Sequence, residues 1–463
     1  MILTLQEIHN ELMPASFVGD SSRLGQYPQG VSTDSRLLAE GDLFFALRGE
    51  KFDGHEFAIK VQPRAIAAVV EESWFEAAGR PAGNFLVVPD ALFALQACAT
   101  CARRRWARPL VAIGGSNGKT TTKDLAYAVL SQAHAVLRTQ GNLNNHIGVP
   151  LTLGGLKNEH TLAVVEIGTN HFGEIARLCE IAEPTLGLIT NIGREHLEFF
   201  GDLAGVARAE FELYDYLAAA GGMALINMDD RTLRAAAWPG LKTLTFGFAE
   251  GAQVRGVHLA LGGDGCATFE VEGVRIRVPI AGAHQAQNAL AAVAAGKALG
   301  VSVQQARAGI EASRPASKRM QIEHIAGVTF INDAYNANPD SMRAALETLM
   351  AMPAEKGGRR VAVLGDMLEL GPASAPAHRE IGERLNQLHI DAVFAFGEAS
   401  RSLIDVVDRR RVETALHFER KDELSRAFGQ FVRAGDVVLV KGSRGKAMEE
   451  VLESFRRMTA PAA

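Results

Sequence analysis

The sequence predicts an α/β protein of three domains: a small N-terminal α/β unit over residues 1–87, a central unit with a mainly parallel sheet over 88–315, and a doubly wound, Rossmann-like C-terminal unit over 316–463. Three observations predict it. At 463 residues the chain exceeds what one ordinary core holds. Between 88 and 315, short apolar runs alternate with helix-like segments and glycine turns, which indicates a parallel sheet. The same alternation resumes after 316.

Bulk composition narrows the class. Hydrophobic residues make up 47% and charged residues 22%, as in a soluble protein of enzyme size, and the formal charge of −5 argues against a nucleic-acid partner bound by phosphate neutralisation. The opening MILTLQEIHNEL carries Glu7 and Glu11 and lacks the basic stretch of a signal peptide. No run approaches 18 apolar residues, so no membrane span is expected. The four cysteines are Cys98, Cys101, Cys179 and Cys266. Cys98 and Cys101 sit in a helix-like run without a second pair, so they read as small helix residues rather than a metal or redox pair. A cytoplasmic, monomeric protein is the expectation.

In the first unit, 31–57 (VSTDSRLLAEGDLFFALRGEKFDGHEF) alternates apolar pieces with glycine turns. Thr33, Ser35, Arg36 and His55 fall on loops, where either a binding site or a solvated turn is a fair reading.

The centre of the chain is IGGSNGKTTT, 113–122. An apolar run precedes it and a helix-like pattern follows, so strand, glycine loop and helix start come in succession. That arrangement aims backbone N–H groups and the positive helix end at a phosphate. Lys119 adds a point charge for the β/γ-phosphates and the Thr120 hydroxyl can sit on Mg²⁺, with Gly115, Ser116, Asn117, Gly118 and Thr121 completing the loop. The spacing is shorter than the common Walker A, reading G-x-x-x-G-K-T from Gly114. A chance Gly-Lys-Thr after a glycine turn is the competing explanation.

Strand ends carry the rest of the chemistry, because ligands of open α/β sheets bind beyond them. The runs 110–113, 161–167, 185–190 and 223–226 end at the loop, at Glu166, at Asn191 with His196, and at Asp229 and Asp230. Glu166 closes an apolar strand, where a carboxylate needs either a salt bridge or a cation. The segment 254–280 contains Gly-Gly-Asp-Gly and reads as a hairpin, and 281–301 as a helix with His284 and Asn288 on one face. In the last unit, VTFINDAYNANPDSM, VAVLGDMLELG and DVVLVKGSRGK are three strand–loop units, and Arg444 in the third can bind an anion bidentately. Residues 459–463 are expected to fray.

These segments, with GNLNNHIGVPLTL, VVEIGTNHFGEI and NIGREHLEFFG, resemble the Mur ligases from about residue 31 to 450, in order. EIGTNHFGEI with DAYNANP is similar to the branch that adds D-alanyl-D-alanine to UDP-N-acetylmuramoyl-tripeptide in peptidoglycan synthesis. The resemblance implies ATP-dependent amide ligation through an acyl phosphate, with the three domains holding the UDP-sugar, ATP and, on closure, both reactants. It implies Mg²⁺ on Thr120 and Glu166 and a second Mg²⁺ on His196, a residue otherwise readable as structural. His284 and Asn288 then meet adenine, and Arg319, Asp333, Tyr335 and Asn336 the rest of ATP. Asn142, Asn145, Thr169, Asn170 and His171 line the peptide groove, and Ser32, Thr33, Ser35 and Arg36 the uridine diphosphate.

Two positions depart from the family pattern. Glu210 stands where the family carries a carbamylated lysine that supports the second Mg²⁺. Either Glu210 replaces that carbamate electrostatically, making it catalytic with Lys119, Glu166 and His196, or the second site is weakened. Gln285 replaces a frequent asparagine after His284. The competing functions are a sister ligase adding one amino acid, and a P-loop ATPase switch without ligase activity.

Overall fold

The structure is a computed structural model describing residues 1–49, 52–355 and 357–460. Residues 50 and 51 of the N-terminal motif and the final three of the stretch expected to fray lie outside it; Thr459 ends the last helix.

Among the described residues, four sheets follow one another. The first has five strands, Ser16–Val18, Val31–Ser32, Leu43–Phe45, Ala67–Glu71 and Phe85–Val88, parallel except at the antiparallel first strand. Helix Ala91–Trp106, capped by the Asp90 carboxylate on the Phe93 N–H, sends Ala94, Leu95, Cys98 and Ala102 into that sheet's core. Cys98 and Cys101 are therefore unpaired helix residues, as their setting in the sequence suggests.

The central sheet is parallel throughout its seven strands. Strand Leu110–Gly114 lies in its middle, between Leu162–Glu166 and Leu186–Ile189, and all three are buried along their length. That order explains their continuous apolar composition: helices cover both faces, so alternation is absent. It also sets the glycine loop, Glu166 and Thr190–Asn191 side by side at one edge. The predicted hairpin is a three-stranded antiparallel sheet, Val257–Leu261, Cys266–Val271 and Val274–Ala281, its first turn at Gly262–Gly265. Helix His284–Ala298 packs behind the phosphate-loop helix Lys119–Leu130.

The C-terminal sheet has six strands, parallel apart from its opening hairpin Gln321–Ile325 and Val328–Asp333. Strand Val437–Lys441 returns between Val328–Asp333 and Arg360–Gly365, a reversal of strand order that leaves a crevice at their C-terminal ends. Phe330, Phe394, Phe428 and Phe455 fill the core on one face, each ring worth about 1.5–3 kcal/mol when buried.

Candidate active site

The phosphate loop is tied down by its own backbone and by the segment after strand Leu186–Ile189. Ser116 N–H donates to Asn191 O at 2.9 Å, Asn117 N–H to Asn191 Oδ1 at 3.1 Å, and Gly193 N–H to Ser116 Oγ at 2.8 Å. Two glycines are obligatory here. A Cβ on Gly115, at φ +109°, would stand 2.6 Å from Thr190 N, and one on Gly118, at φ +84°, would stand 2.4 Å from Asn288 Oδ1. Helix Lys119–Leu130 starts directly after Gly118, so its free N–H groups face the loop.

Lys119 Nζ donates to Gly115 O and, at 3.2 Å, to Glu195 Oε2. Burial alone would lower its pKa, but Glu195, Glu210 and Glu166 together raise it, so the amine stays charged. Glu166 is 1% exposed. Its Oε1 accepts from Thr120 Oγ1 at 3.2 Å and Asn144 Nδ2 at 2.9 Å, while Oε2 has no hydrogen-bond partner and lies 3.7 Å from Lys123 Nζ. A hydroxyl beside an unsatisfied buried carboxylate oxygen fits Mg²⁺, which takes few protein ligands when phosphates supply the others. Among the described residues no three His, Cys, Asp or Glu side chains gather as a self-sufficient metal site.

These groups open into one cleft of about 950 Å³ between the central and C-terminal units. Of the predicted residues, Ser116, Asn117, Gly118, Lys119, Thr120, Thr121, Asn142, Asn145, Glu166, Thr169, Asn170, His196, His284, Asn288, Arg319, Asp333, Tyr335 and Asn336 line it. Gln285 links His284 and Asn288, contacting His284 Nε2 at 2.9 Å and accepting from Asn288 Nδ2 at 2.8 Å. Burial lowers the His284 pKa, leaving a neutral ring. From the other side, the Arg319 guanidinium lies over Tyr335 at 3.8 Å, and Asp333 pairs with Lys441 at 2.5 Å.

Several predicted residues lie elsewhere. Glu210 is not among the residues that line the cleft. It is fully buried on helix Leu203–Ala220, and its Oε2 accepts from Gly115 N–H at 2.7 Å, behind the phosphate loop. Burial pushes its pKa up to about 8, against the pull of Lys119. The reason is reach: a glutamate this short fills the space under Gly114 and Gly115 instead of extending past them. Asp229 accepts from Phe248 and Ala249 N–H, and Asp230 from Ile192, Thr232 and Leu233 N–H, so both serve turns and caps outside the cleft. His171 turns outward onto Phe199, at 4.6 Å, and Phe172 lines the cleft instead. Arg444 pairs with Glu449 outside the cleft. Ser32, Thr33, Ser35 and Arg36 also lie away from it. Arg36 holds the Asp34 carboxyl down at about 2 by hydrogen bonding, and Val31 packs on Gly154 of the central unit.

Sequence reasoning missed Lys441, Glu195 and Asn144. Lys441 ends the buried strand VVLVK just as Glu166 ends LAVVE, so the same signal was present. Asn144 stood in the asparagine-rich GNLNN, between two residues that were singled out.

Comparison with known families assigns the class. The Mur ligase family catalytic domain matches residues 28–89, the Mur ligase middle domain 113–296, and the Mur ligase glutamate ligase domain 318–444. The chain belongs to the Mur ligase family. Among individual proteins, it is 35% identical over 440 residues to UDP-N-acetylmuramoyl-tripeptide–D-alanyl-D-alanine ligase of Bacillus subtilis, covering 93% of this chain and 94% of the relative. The crystal structure of MurF from Acinetobacter baumannii superposes with a TM-score of 0.86 at 32% identity, over 99% of both chains. MurF of Thermotoga maritima in complex with ADP gives 0.77 at 27% identity, over 93% of this chain and 97% of that one.

Proposed function

We propose that this chain is the ATP-dependent ligase that joins D-alanyl-D-alanine to UDP-N-acetylmuramoyl-tripeptide, yielding the UDP-MurNAc-pentapeptide used for peptidoglycan. The observation that carries this reading is the single cleft. A phosphate loop and Glu166 lie on its central wall, Arg319, Asp333 and Lys441 on its C-terminal wall, and Asn142, Asn145, Thr169 and Asn170 along one end. Residues 1–87 hold the UDP-sugar, with Ser32, Thr33, Ser35 and Arg36 toward the diphosphate; 88–315 hold ATP; 316–463 close over it. In this reading the enzyme works as a cytoplasmic monomer.

Two anions must meet, so neutralising charge dominates the chemistry. Gly115–Thr121 N–H groups and Lys119 cradle the β/γ-phosphates. Thr120 and Glu166 would hold one Mg²⁺ and His196 would contribute to a second; bound there, the cations would supply Lewis-acid charge stabilisation. His284 and Asn288 seat the adenine, and Tyr335 and Asn336 the ribose side. The tripeptide carboxylate oxygen attacks the γ-phosphorus; that O–P bond forms as the bond to ADP breaks, leaving an acyl phosphate. The dipeptide's neutral amine attacks the acyl carbon; the C–N bond forms, the acyl C–O bond to phosphate breaks, and the nitrogen's surplus proton passes to solvent as phosphate leaves. Asn142, Asn145, Thr169 and Asn170 orient the peptide for both steps.

The test is ADP release with ATP, Mg²⁺ and UDP-MurNAc-tripeptide, with and without D-Ala-D-Ala, and mass analysis of the product. Release that requires the dipeptide and yields the pentapeptide is expected. Release indifferent to the dipeptide would instead indicate a nucleotide hydrolase, and a single-residue product a sister ligase.

A further inference from the structure

His196 stands at the junction of the central and C-terminal units, and its two ring nitrogens meet different surroundings. Nε2 is on the side of Glu195, 3.9 Å from Glu195 Oε2, and both residues line the cleft. Nδ1 is buried and lies 2.6 Å from Glu369 Oε2. Glu369 comes from the C-terminal unit, in the loop after strand Arg360–Gly365. The contact is not aligned as a hydrogen bond.

The backbone holds the two residues face to face. Glu198 N–H donates to Glu369 O at 3.1 Å, and Gly371 packs so tightly on Glu198 that a Cβ there would stand 3.2 Å from Glu198 Cα. His196 at φ 48° and Glu369 at φ 60° both adopt the left-handed conformation without being glycine. Strained non-glycine residues that meet across a junction mark a place where the surrounding structure over-determines geometry.

We infer that Glu369 is a positioning residue for His196: closure of the C-terminal unit brings its carboxylate to Nδ1, fixes the tautomer that carries the proton there, and leaves the Nε2 lone pair free on the cleft side. A carboxylate on the far nitrogen orients a ligating histidine and increases its basicity. Cation capture at His196 is thereby tied to closure, and an open enzyme lacks the ordered ligand. The inference rests on the reading of His196 as cation-facing.

The experiment labels the full-length protein with ¹⁵N in its histidines, saturates it with ADP, and identifies the His196 signals by their loss in His196→Gln. The wild type should show the Nδ1–H tautomer. Glu369→Ala should shift it toward Nε2–H, and Glu369→Gln, which keeps an acceptor oxygen, should restore most of it. Mn²⁺ binding in the presence of ADP, followed by electron paramagnetic resonance, should weaken about 10- to 100-fold in Glu369→Ala and less in Glu369→Gln. A merely structural Glu369 would lower thermal stability without moving the tautomer. An unchanged His196 tautomer in folded Glu369→Ala would overturn the inference. A shifted tautomer with unchanged Mn²⁺ affinity would overturn its coupling to the cation. Neither outcome alters the ligation assay on the wild type, which tests the function separately.

Discussion

The phosphate loop has two buried glutamates, and they do opposite things. In front, Glu166 ends a central strand, lines the cleft and keeps one oxygen unsatisfied. Behind, Glu210 sits on the core face of a helix and binds Gly115 N–H. Side-chain type and burial are the same; the difference is what each can still reach. Glu166 retains a free lone pair beside a hydroxyl and open volume, which suits a cation. Glu210 binds a backbone donor through Oε2 and leaves Oε1 unpaired behind the loop, outside the cleft, an arrangement that suits fixing the loop's path. Glu210 braces the loop in this structure; a cation-supporting role in place of the family's carbamate would have to act through a water or a shifted ion.

Removing the front carboxylate should do the most damage. Glu166→Gln should lower kcat by about 10²-fold or more, since a bound cation contributes several kcal/mol of charge stabilisation. Steady-state kinetics over a Mg²⁺ titration checks this, and a variant whose Mg²⁺ dependence matched the wild type would break the contrast.

The junction that closes over the front wall is the next place to probe. Arg194 Nη2 donates to Asp340 Oδ1 at 2.9 Å and Nη1 to Glu380 Oε2 at 2.5 Å, so one central residue grips two helices of the C-terminal unit. Hydrogen bonds to Glu380 and Asp340 raise the Arg194 pKa, and the same contacts lower that of Asp340 against its burial. The groups are part-exposed, so salt screens them. Arg194→Ala should reduce kcat/KM a few-fold, to about tenfold, and flatten the wild type's loss of rate with added NaCl.

The back carboxylate should speak through pH. Its pKa is about 8 folded against an ordinary 4.5, so between those values the unfolded chain has lost a proton that the folded chain keeps. Stability therefore falls as pH rises through that window, with Lys119 opposing and Glu195 and Glu212 adding to the shift. Glu210→Gln should remove this slope, so its Tm advantage over the wild type should grow from pH 4.5 to pH 8 in thermal melts. A constant difference would mean the buried group stays ionised.

The front of the loop was legible because its signals are local. Strand, glycines, lysine and threonine follow one another in ten residues, and Glu166 stands alone at the end of an apolar strand. The back was legible in principle: Val206, Glu210, Leu213, Tyr214 and Leu217 recur at helical spacing on one buried stripe, which places Glu210 in the core. The family position drew attention to what it replaces instead of to the helix face that it shares. Contacts of Arg194 with Asp340 and Glu380, 146 and 186 residues away, have no local pattern behind them. They depend on how two separate sheets meet, and neither periodicity nor strand order encodes that.

The reaction itself is tested most directly by following one oxygen. UDP-MurNAc-tripeptide labelled with ¹⁸O in its terminal carboxylate should, on ligation with ATP and D-Ala-D-Ala, deliver one label to inorganic phosphate. That result is required if the carboxylate in this cleft attacks the γ-phosphorus before the amine arrives. Phosphate free of ¹⁸O, with pentapeptide still formed, would contradict the acyl-phosphate route and the arrangement of the cleft around it.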